Sequence, residues 1–386
     1  MTPLSKLVFW LSGALLAYTQ AGYGVLLAVL ARRLSPAPAP PRSDAGPPPL
    51  VSAIVAAYRE EGGIAERIAN LRALEYPSEH LEVIVACDGS PDATPDRARA
   101  AGADLVLELP RGGKVRAQDA AVRRARGEIV AFSDANARWA PDALRRLLEP
   151  FEAPDVGYVC GQVRFASADA AATNQESAYW RYEMWLRALE SRLHSVTGGN
   201  GAIYATRRVA YVEVDPIMGH DLSFPFNMVR RGWRALYAPE ALATETMVPS
   251  IEGEFARKRR MMSHGWPILL RGGMLDLRAY PPRYALMLLS HRALRYATPG
   301  LHVALLAASL ALTLARRGRV YAAALALQLA VLAAAATAAP GSRGAHRRSL
   351  LIARYYVLTT ASLAAGLIDW LREETQAGWE PAEGTR

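Results

Sequence analysis

The sequence EIVAFSDAN, residues 128–136, is a short apolar run that ends in an aspartate. The sequence LEVIVACDGS, residues 81–90, has the same form, and VSAIVAA at 51–57 and ADLVLEL at 103–109 supply two further β-rich runs. Helical patterns separate these runs, among them residues 115–126. Strands that alternate with helices are typical of a parallel, doubly wound α/β sheet with both faces covered. We therefore predict such a sheet for this part of the chain.

Three polar residues fall at the ends of the predicted strands. Asp88 and Asp134 close two of them, and Tyr58 follows a third. Ligands of doubly wound sheets bind beyond the carboxyl ends of the strands. The sequence therefore predicts a ligand site that contains these three residues.

Apolar segments flank the α/β region. Hydrophobic residues make up 51% of the 386 residues and charged residues 21%, which suits a soluble domain joined to membrane helices. Residues 7–30 are long enough to cross a bilayer, and Arg32 and Arg33 follow them, which indicates that this end faces the cytoplasm. The alternative is a cleaved signal peptide, because Lys6 precedes the run and Ala-Pro-Ala follows it. Three more apolar segments are predicted at 298–315, 320–339 and 350–371.

These patterns divide the chain into consecutive parts. They are a transmembrane anchor (1–34), a proline-rich linker (35–49), the α/β domain (50–250), basic amphipathic helices (251–297), three transmembrane helices (298–371) and a tail (372–386). Residues 283–295 predict a helix that lies in the membrane interface. We expect a multi-pass protein of the cell (inner or plasma) membrane, with its α/β domain in the cytoplasm and both termini outside.

Charge and cysteine content limit the classes of ligand that the protein is expected to bind. The net charge of +9 fits nucleic acid, an anionic membrane or phosphate-bearing substrates, and the sequence shows no nucleic-acid motif, which favours the last two. Cys87 and Cys160 lack CxxC spacing, so neither a disulfide framework nor a zinc site is predicted.

The strand-end residues suggest specific chemistry. Asp88 is placed to accept hydrogen bonds from a base or ribose, although Asp-Gly-Ser is also common turn chemistry. Asp134 and Asn136 lie one residue apart, so in extended backbone both oxygens face the same way and suit Mg²⁺ or Mn²⁺ bridging phosphates. The alternative for this pair is again a strand-end turn.

Later motifs add a base and cations. Asp221, in GHDLSF, predicts either a general base or a helix cap, and His220 beside it is titratable or structural. The run RKRRM at 257–261 predicts contact with a diphosphate or with lipid headgroups. The glycines of GGNGAIYATRR, 198–208, permit close approach of backbone to a ligand or form a tight turn.

The ordered series resembles the inverting glycosyltransferase family 2, in the membrane branch that contains cellulose-synthase-like and ceramide-glucosyltransferase-like enzymes. VSAIVAAYREE (51–61) resembles its opening motif, CDGS its first aspartate motif, and residues 112–136 its lysine-to-metal block. GGNGAIYATRR and GHDLSF are similar to its acceptor-side blocks, and RKRRM falls where a Q/R-x-x-R-W motif is expected. The resemblance covers about residues 50 to 265.

The resemblance implies a GT-A-like, Rossmann-like fold, a nucleotide-sugar donor (a UDP-sugar above all) and a divalent metal, Mg²⁺ or Mn²⁺. It implies Asp221 as the catalytic base and Asp134 with Asn136 at the metal and diphosphate. The implied donor-binding residues are Ala57, Tyr58, Glu60, Asp88, Lys114, Asp134, Arg257 and Arg260. The implied acceptor-binding residues are Gly199, Asn200, His220 and Met261.

Four positions depart from the family pattern. Asn136 replaces an aspartate of the metal motif, His220 a glutamate, Met261 a tryptophan and Arg257 the glutamine of processive synthases. The missing tryptophan removes an aromatic platform for a sugar. This favours transfer of a single sugar to a lipid or glycan acceptor over processive synthesis.

Three other functions remain open at this point. One is a processive polysaccharide synthase that works with export or assembly partners. Another is a catalytically inactive, nucleotide-binding scaffold of a polysaccharide complex. A transporter or lipid-binding protein is the third, although Asp369 is the one acidic residue within the predicted spans.

Overall fold

The structure is a computed structural model that describes residues 2–34, 47–166, 170–246, 251–339, 347–372 and 375, with side chains given outside 166–179. Most of the predicted linker and of the predicted tail lies outside these residues. In chain order the helices and strands are α1 (Thr2–Ala17), α2 (Tyr23–Leu34), β1 (Val51–Ala57), α3 (Ile64–Arg72), β2 (Leu81–Asp88), α4 (Thr94–Ala100), β3 (Leu105–Leu109), α5 (Lys114–Val122), β4 (Ile129–Asp134), β5 (Arg138–Trp139), α6 (Ala143–Leu148), β6 (Val156–Ala166), α7 (Ala170–Leu193), β7 (Tyr204–Arg207), α8 (His220–Arg230), β8 (Arg234–Thr246), α9 (Ile251–Leu270), α10 (Pro282–Met287), α11 (Leu294–Leu314), α12 (Arg319–Thr337) and α13 (Arg348–Leu371).

Within the described residues, eight strands form one mixed sheet in the order β3-β2-β1-β4-β7-β6-β8-β5. The first four are parallel, as the alternation of strands and helices predicts. β7 runs antiparallel between β4 and β6, β8 pairs parallel with β6, and β5 pairs antiparallel with β8. The sequence did not predict β5, β6 or β8.

Helices cover both faces of the sheet. Every residue of β1 is buried, and alternate side chains enter different cores. Val55 packs in the core that contains Ile68 of α3 and Leu144 of α6. Ile54 packs in the opposite core, with Ala121 of α5 and Phe224 of α8. This confirms the α/β class predicted from the continuous apolar runs.

The strand register brings the predicted ligand site together. Ala57 lies opposite Cys87, and Ala56 lies opposite Asp134. Tyr58, Asp88 and Asp134 therefore follow or end neighbouring strands at one edge of the sheet.

Four helical segments among the described residues are long and apolar enough to cross a membrane: 3–34, 282–314, 319–337 and 348–371. The second differs from the prediction, because α10 and α11 join through a π-helical turn at 288–293. Residues 283–295 are thus continuous with this long helix, and their position in the membrane interface stays a prediction. In the π turn, His291 contacts Glu183 and Glu190 of α7.

The α/β domain and the apolar helices share a core. Tyr23 of α2, Leu189 of α7 and Tyr284 of α10 belong to one buried cluster. α9 packs against α13, where a Cβ on Gly366 would lie 2.6 Å from the Cβ of Met262. Such close packing fixes the helices relative to the sheet.

Candidate active site

Lys114 is the central cation of the sheet edge. It begins α5, and its ammonium group bonds the carboxylate of Asp134. Burial opposes the charge of Lys114, but the nearby carboxylates of Asp134, Asp221 and Glu245 outweigh it and raise the pKa of Lys114. The lysine is therefore a permanent positive charge among three carboxylates that are distant in sequence.

Asp221 lies in the first turn of α8, where it is partly exposed. Across the described residues, its carboxylate has no hydrogen-bond or ion-pair partner. A carboxylate that is not engaged by the protein remains able to accept a proton from a ligand.

The glycine turn at 198–201 lies between Lys114 and α8. A Cβ on Gly201 would lie 3.1 Å from Nζ of Lys114 and 3.4 Å from Oδ2 of Asp134. A Cβ on Gly199 would lie 1.9 Å from the hydroxyl of Tyr158. The backbone of Gly201 therefore lies close to the Lys114–Asp134 pair, and Gly199 has no room for a side chain beside Tyr158.

Asn200 shapes this turn. Its Nδ2 donates to the carbonyl of Gly161 at 2.7 Å, and its Oδ1 accepts from the amide of Ile203 at 2.9 Å. The side chain is buried. Its polar atoms thus support the turn, which differs from the acceptor contact predicted from sequence.

Asp88 anchors a second loop at the same edge. Its buried carboxylate accepts hydrogen bonds from the amides of Gly112 at 2.6 Å and Gly113 at 3.0 Å, and from Arg111 Nη1 at 2.8 Å. The Arg111 guanidinium lies 3.4 Å from the centre of the Tyr58 ring. Arg111 was not predicted, because the contact depends on the fold of the loop and no sequence pattern marks it.

Two further predicted donor residues are buried. Ala57 is completely buried in the core, so only its backbone could reach a ligand. Glu60 is also buried, and its amide donates to the hydroxyl of Thr94 at 2.9 Å. Both help to fix the loop that carries Tyr58.

His220 belongs to an aromatic core and does not face the site. Its ring stacks on Phe224 at 4.0 Å, and its Nδ1 lies 2.8 Å from the hydroxyl of Tyr204. Burial, and then the charge of Lys114, lower the pKa of His220 to about 3. The acceptor role predicted for His220 stays a prediction, and in this structure its ring is 4% exposed and packs in the aromatic core.

The side chains of the basic run 257–261 contact different partners. Arg257 binds both oxygens of Glu254 at 2.7 Å. Lys258 donates to the Tyr355 hydroxyl at 2.6 Å, and Arg259 holds both oxygens of Asp369 at 2.6 and 2.7 Å. The middle of the run therefore ties α9 to α13, which accounts for the acidic residue in the last apolar segment.

Arg260 and Met261 end the run on the surface. Both side chains are exposed, and the sulfur of Met261 lies 3.1 Å from Nη1 of Arg257. Met261 therefore contributes an exposed apolar side chain next to the cation that the sequence predicted for the diphosphate.

Glu245 is a site residue that sequence reasoning missed. It lies near the end of β8, where burial and then the charge of Asp134 raise its pKa to about 7, against the opposing effect of Lys114 and Arg257. Its neighbours in sequence, ATETMVPS, form none of the motifs that identified the other residues. A strand-end carboxylate was the available signal, but β8 itself was not predicted.

Comparison with known proteins agrees with this architecture. Residues 52–214 match the sequence model of the glycosyl transferase family 2. A mannosyltransferase from Pyrobaculum calidifontis, solved in complex with GDP-Man and Mn²⁺, is 26% identical and superposes with a TM-score of 0.73 over 95% of this chain and 99% of that one.

Curated relatives cover less of the molecule. A beta-monoglucosyldiacylglycerol synthase from Synechocystis is 33% identical over 216 residues, 52% of this chain and 44% of that protein. An N-acetylglucosaminyltransferase from Sinorhizobium fredii is 27% identical over 262 residues, 62% of each protein. The chain thus spans less than half the length of the first of these relatives.

The α/β domain has a GT-A-like fold, in a chain whose additional helices are apolar enough to span a membrane. Residues 52–214 are a domain of the glycosyl transferase family 2.

Proposed function

We propose that this protein is a membrane-anchored, inverting glycosyltransferase that moves a sugar from a nucleotide donor to a lipid or glycan acceptor. The observation that carries the proposal is the convergence of Lys114, Asp134 and Asp221 beside the glycine turn. Donor transfer needs cations for the leaving diphosphate and a base for the acceptor hydroxyl, and this edge of the sheet offers both.

The nucleoside end of the donor is assigned to Asp88, Tyr58 and Arg111. Arg111 covers the Tyr58 ring and occupies one oxygen of Asp88. If Arg111 swings away, an aromatic face and a carboxylate oxygen become available to a base together. These are the groups that stacking and hydrogen bonding to a nucleobase require.

The diphosphate is assigned to Lys114, Asp134 and Asn136. Asp134 is partly exposed and Asn136 exposed in the turn after β4, and both supply the oxygen ligands that Mg²⁺ and Mn²⁺ take. In the part of the chain that the structure describes, no group of three or more His, Cys, Asp or Glu could hold a metal. An ion held here by two protein residues would take donor phosphates and water as its other ligands. The Pyrobaculum mannosyltransferase was solved with both GDP-Man and Mn²⁺.

When bound, such an ion stabilises negative charge on the diphosphate. Lys114 contributes a fixed positive charge at the same place, which assists departure of the nucleoside diphosphate. Arg257, close enough to act on Glu245, is assigned to the same end of the donor.

Asp221 is assigned as the general base. It takes the proton of the acceptor hydroxyl while that oxygen bonds to the anomeric carbon. The bond from the anomeric carbon to the diphosphate breaks on the opposite face, so the configuration inverts. Among the described residues no group bonds the Asp221 carboxylate, which supports this role.

A lipid acceptor is favoured over a polymer. The domain shares a buried core with apolar helices, and the relative from Synechocystis is named for glucosyldiacylglycerol synthesis. A processive polysaccharide synthase is the second candidate. We further propose a multi-pass position in the cell membrane with the α/β domain in the cytoplasm, where nucleotide sugars occur.

The test is a donor screen with the full chain purified in detergent. UDP-, GDP- and dTDP-sugars are supplied with Mn²⁺ or Mg²⁺ and with diacylglycerol-containing micelles, and nucleoside diphosphate release is measured. Release that is lost in Asp221→Asn but kept in Asp215→Asn, an exposed carboxylate nearby, supports the proposal. Nucleotide binding without turnover of any donor would favour the scaffold function. Product length separates single transfer from polymer synthesis.

A further inference from the structure

We propose that Arg292, at the start of the second apolar helix, is a positioning residue for the catalytic base. The inference rests on the proposed function, since it concerns Asp221 as that base. It assigns the apolar helix 282–314 a role in the active site beyond anchoring.

A buried ion cluster fixes the π turn against the α/β domain. His291 is buried, with Nε2 2.7 Å from Glu183 and Nδ1 2.7 Å from Glu190. Glu190 also accepts from the Tyr23 hydroxyl at 2.7 Å and from the Thr197 amide at 3.0 Å. The cluster therefore joins α2, α7 and the π turn to the residue that precedes the glycine turn.

The basic groups of this cluster favour the ionised forms of both glutamates. Burial raises the pKa of each carboxyl, but the neighbouring groups outweigh it: Arg295 and His291 hold the pKa of Glu183 well below its usual range, and His291 and Arg292 lower that of Glu190. Breaking a buried pair of this kind is costly, so these contacts restrain the π turn relative to α7.

Arg292 extends from this turn to the glycine loop. Its Nε donates to the carbonyl of Thr197 at 3.2 Å and to the hydroxyl at 3.0 Å. A Cβ on Gly198 would lie 2.2 Å from its Nη2. The guanidinium thus lies directly against the backbone of Gly198, where any side chain would displace it.

The next residue transmits this contact to Asp221. The amide of Gly199 donates to the backbone carbonyl of Asp221 at 2.6 Å, and its own carbonyl accepts from Arg187 Nη2 at 2.9 Å. Two guanidinium groups, one from α7 and one from the apolar helix, therefore hold the two sides of the Gly198–Gly199 segment. A shift of Arg292 moves the peptide that fixes the first turn of α8.

The nucleoside end of the donor site is held by other contacts. Arg111 stacks on Tyr58 and bonds the carboxylate of Asp88, which also accepts from the amide of Gly112. Loss of the Arg292 contact should therefore impair turnover while nucleotide binding persists. This separation distinguishes positioning from a general loss of structure.

The experiment compares Arg292→Gln, Arg292→Lys and Gly198→Ala with the control Arg283→Gln, an exposed arginine on the same helix. We expect kcat to fall about 10- to 100-fold in Arg292→Gln and Gly198→Ala, since small displacements of catalytic groups cost this much. Nucleotide affinity should stay within about twofold of the wild type, and Arg292→Lys should recover part of kcat. The double variant Gly198→Ala with Arg292→Gln should have a kcat no lower than that of the less active single variant, because the two substitutions remove the same contact.

Hydrogen exchange gives a readout that does not need turnover. Amides of 197–201 and 219–223 should exchange faster together in Arg292→Gln, and those of 111–113 should not. An unchanged kcat and unchanged exchange in Arg292→Gln would overturn the inference, as would a parallel loss of nucleotide binding. A wild-type protein that turns over no donor would refute the proposed function instead, and exchange would then decide the positioning by itself.

Discussion

The amide of Gly199 donates a 2.6 Å hydrogen bond to the backbone carbonyl of Asp221 and so joins the glycine turn to the first turn of α8. Gly201, two residues later, lies against the ion pair of Lys114 and Asp134. One short turn therefore contacts both the proposed base, Asp221, and the Lys114–Asp134 pair proposed to bind the diphosphate. The backbone of this turn therefore extends from the proposed base to the Lys114–Asp134 pair.

Replacement of Asp221 by asparagine should abolish transfer. The amide keeps the size of the carboxylate but cannot accept the acceptor proton, so kcat should fall by about 10²- to 10⁴-fold. Nucleotide affinity, measured by calorimetric titration, should be unchanged because the donor residues lie on other loops. Full transfer activity in this variant would remove Asp221 from the mechanism.

Replacement of Lys114 by methionine should leave Asp134, Asp221 and Glu245 without their shared cation. We expect kcat to fall about 10²-fold or more, by analogy with loss of a preorganised electrostatic donor. Steady-state kinetics of nucleoside diphosphate release measure the effect. Arg116→Met, an exposed residue on the same helix, is the control and should retain activity; equal losses in both would indicate damage to α5.

Two glycines of the turn should respond differently to alanine. At Gly199 the added methyl would lie 1.9 Å from the Tyr158 hydroxyl, inside the core, and should destabilise the protein by about 1–3 kcal/mol. At Gly201 the nearest atom, 3.1 Å away, is the end of the flexible Lys114 side chain, so the fold should persist while turnover falls. Thermal unfolding and steady-state kinetics of the two variants test these expectations. A Gly201→Ala variant that is less stable than Gly199→Ala would contradict them.

Replacement of Asp88 by asparagine should weaken nucleotide binding. The carboxylate holds Arg111 and two glycine amides through charge-assisted hydrogen bonds, each worth about 1.5–3 kcal/mol. Affinity for the nucleoside diphosphate should fall about 10- to 100-fold. Asp96→Asn, at a position whose side chain is 84% exposed, is the control. Unchanged affinity in Asp88→Asn would place the nucleoside elsewhere.

His220 should make the fold sensitive to acid. Its pKa is about 3 in the folded protein and about 6.5 in the unfolded chain, so between these values the unfolded chain binds the proton more strongly. The free energy of unfolding should therefore fall as pH decreases from about 6.5 towards 3, by at most about 1.4 kcal/mol per pH unit from this group.

His220→Phe should remove that part of the pH dependence. Phenylalanine keeps the stacking on Phe224, and Tyr204 retains its hydrogen bond from Gln118 at 3.2 Å. Denaturant unfolding in detergent at a series of pH values compares the variant with the wild type. An identical slope in both proteins would show that His220 is not buried as a neutral ring.

Local sequence patterns predicted the parallel half of the sheet and the ligand site at the carboxyl ends of its strands. Apolar runs that end in Asp88 and Asp134 define strands and their carboxyl ends without any knowledge of distant contacts. The runs of β6 and β8 carry fewer such signals, because their burial depends on α7 and α8 folding over them. Glu245 was missed with β8, and Arg111 was missed with the loop that Asp88 holds.

The sequence by itself determined the α/β class, the apolar segments and the order of Asp88, Asp134 and Asp221. Periodicity, strand ends and hydropathy are properties of neighbouring residues, so they can be recognised in the sequence without the tertiary structure. Tertiary structure alone decided that His220 enters the aromatic core, that Lys258 and Arg259 bind α13, and that Arg292 reaches the glycine turn. These outcomes depend on which distant partners satisfy a buried charge or polar group. The cost of leaving such a group unpaired arises only when folding removes it from water, so the sequence alone does not give the partner.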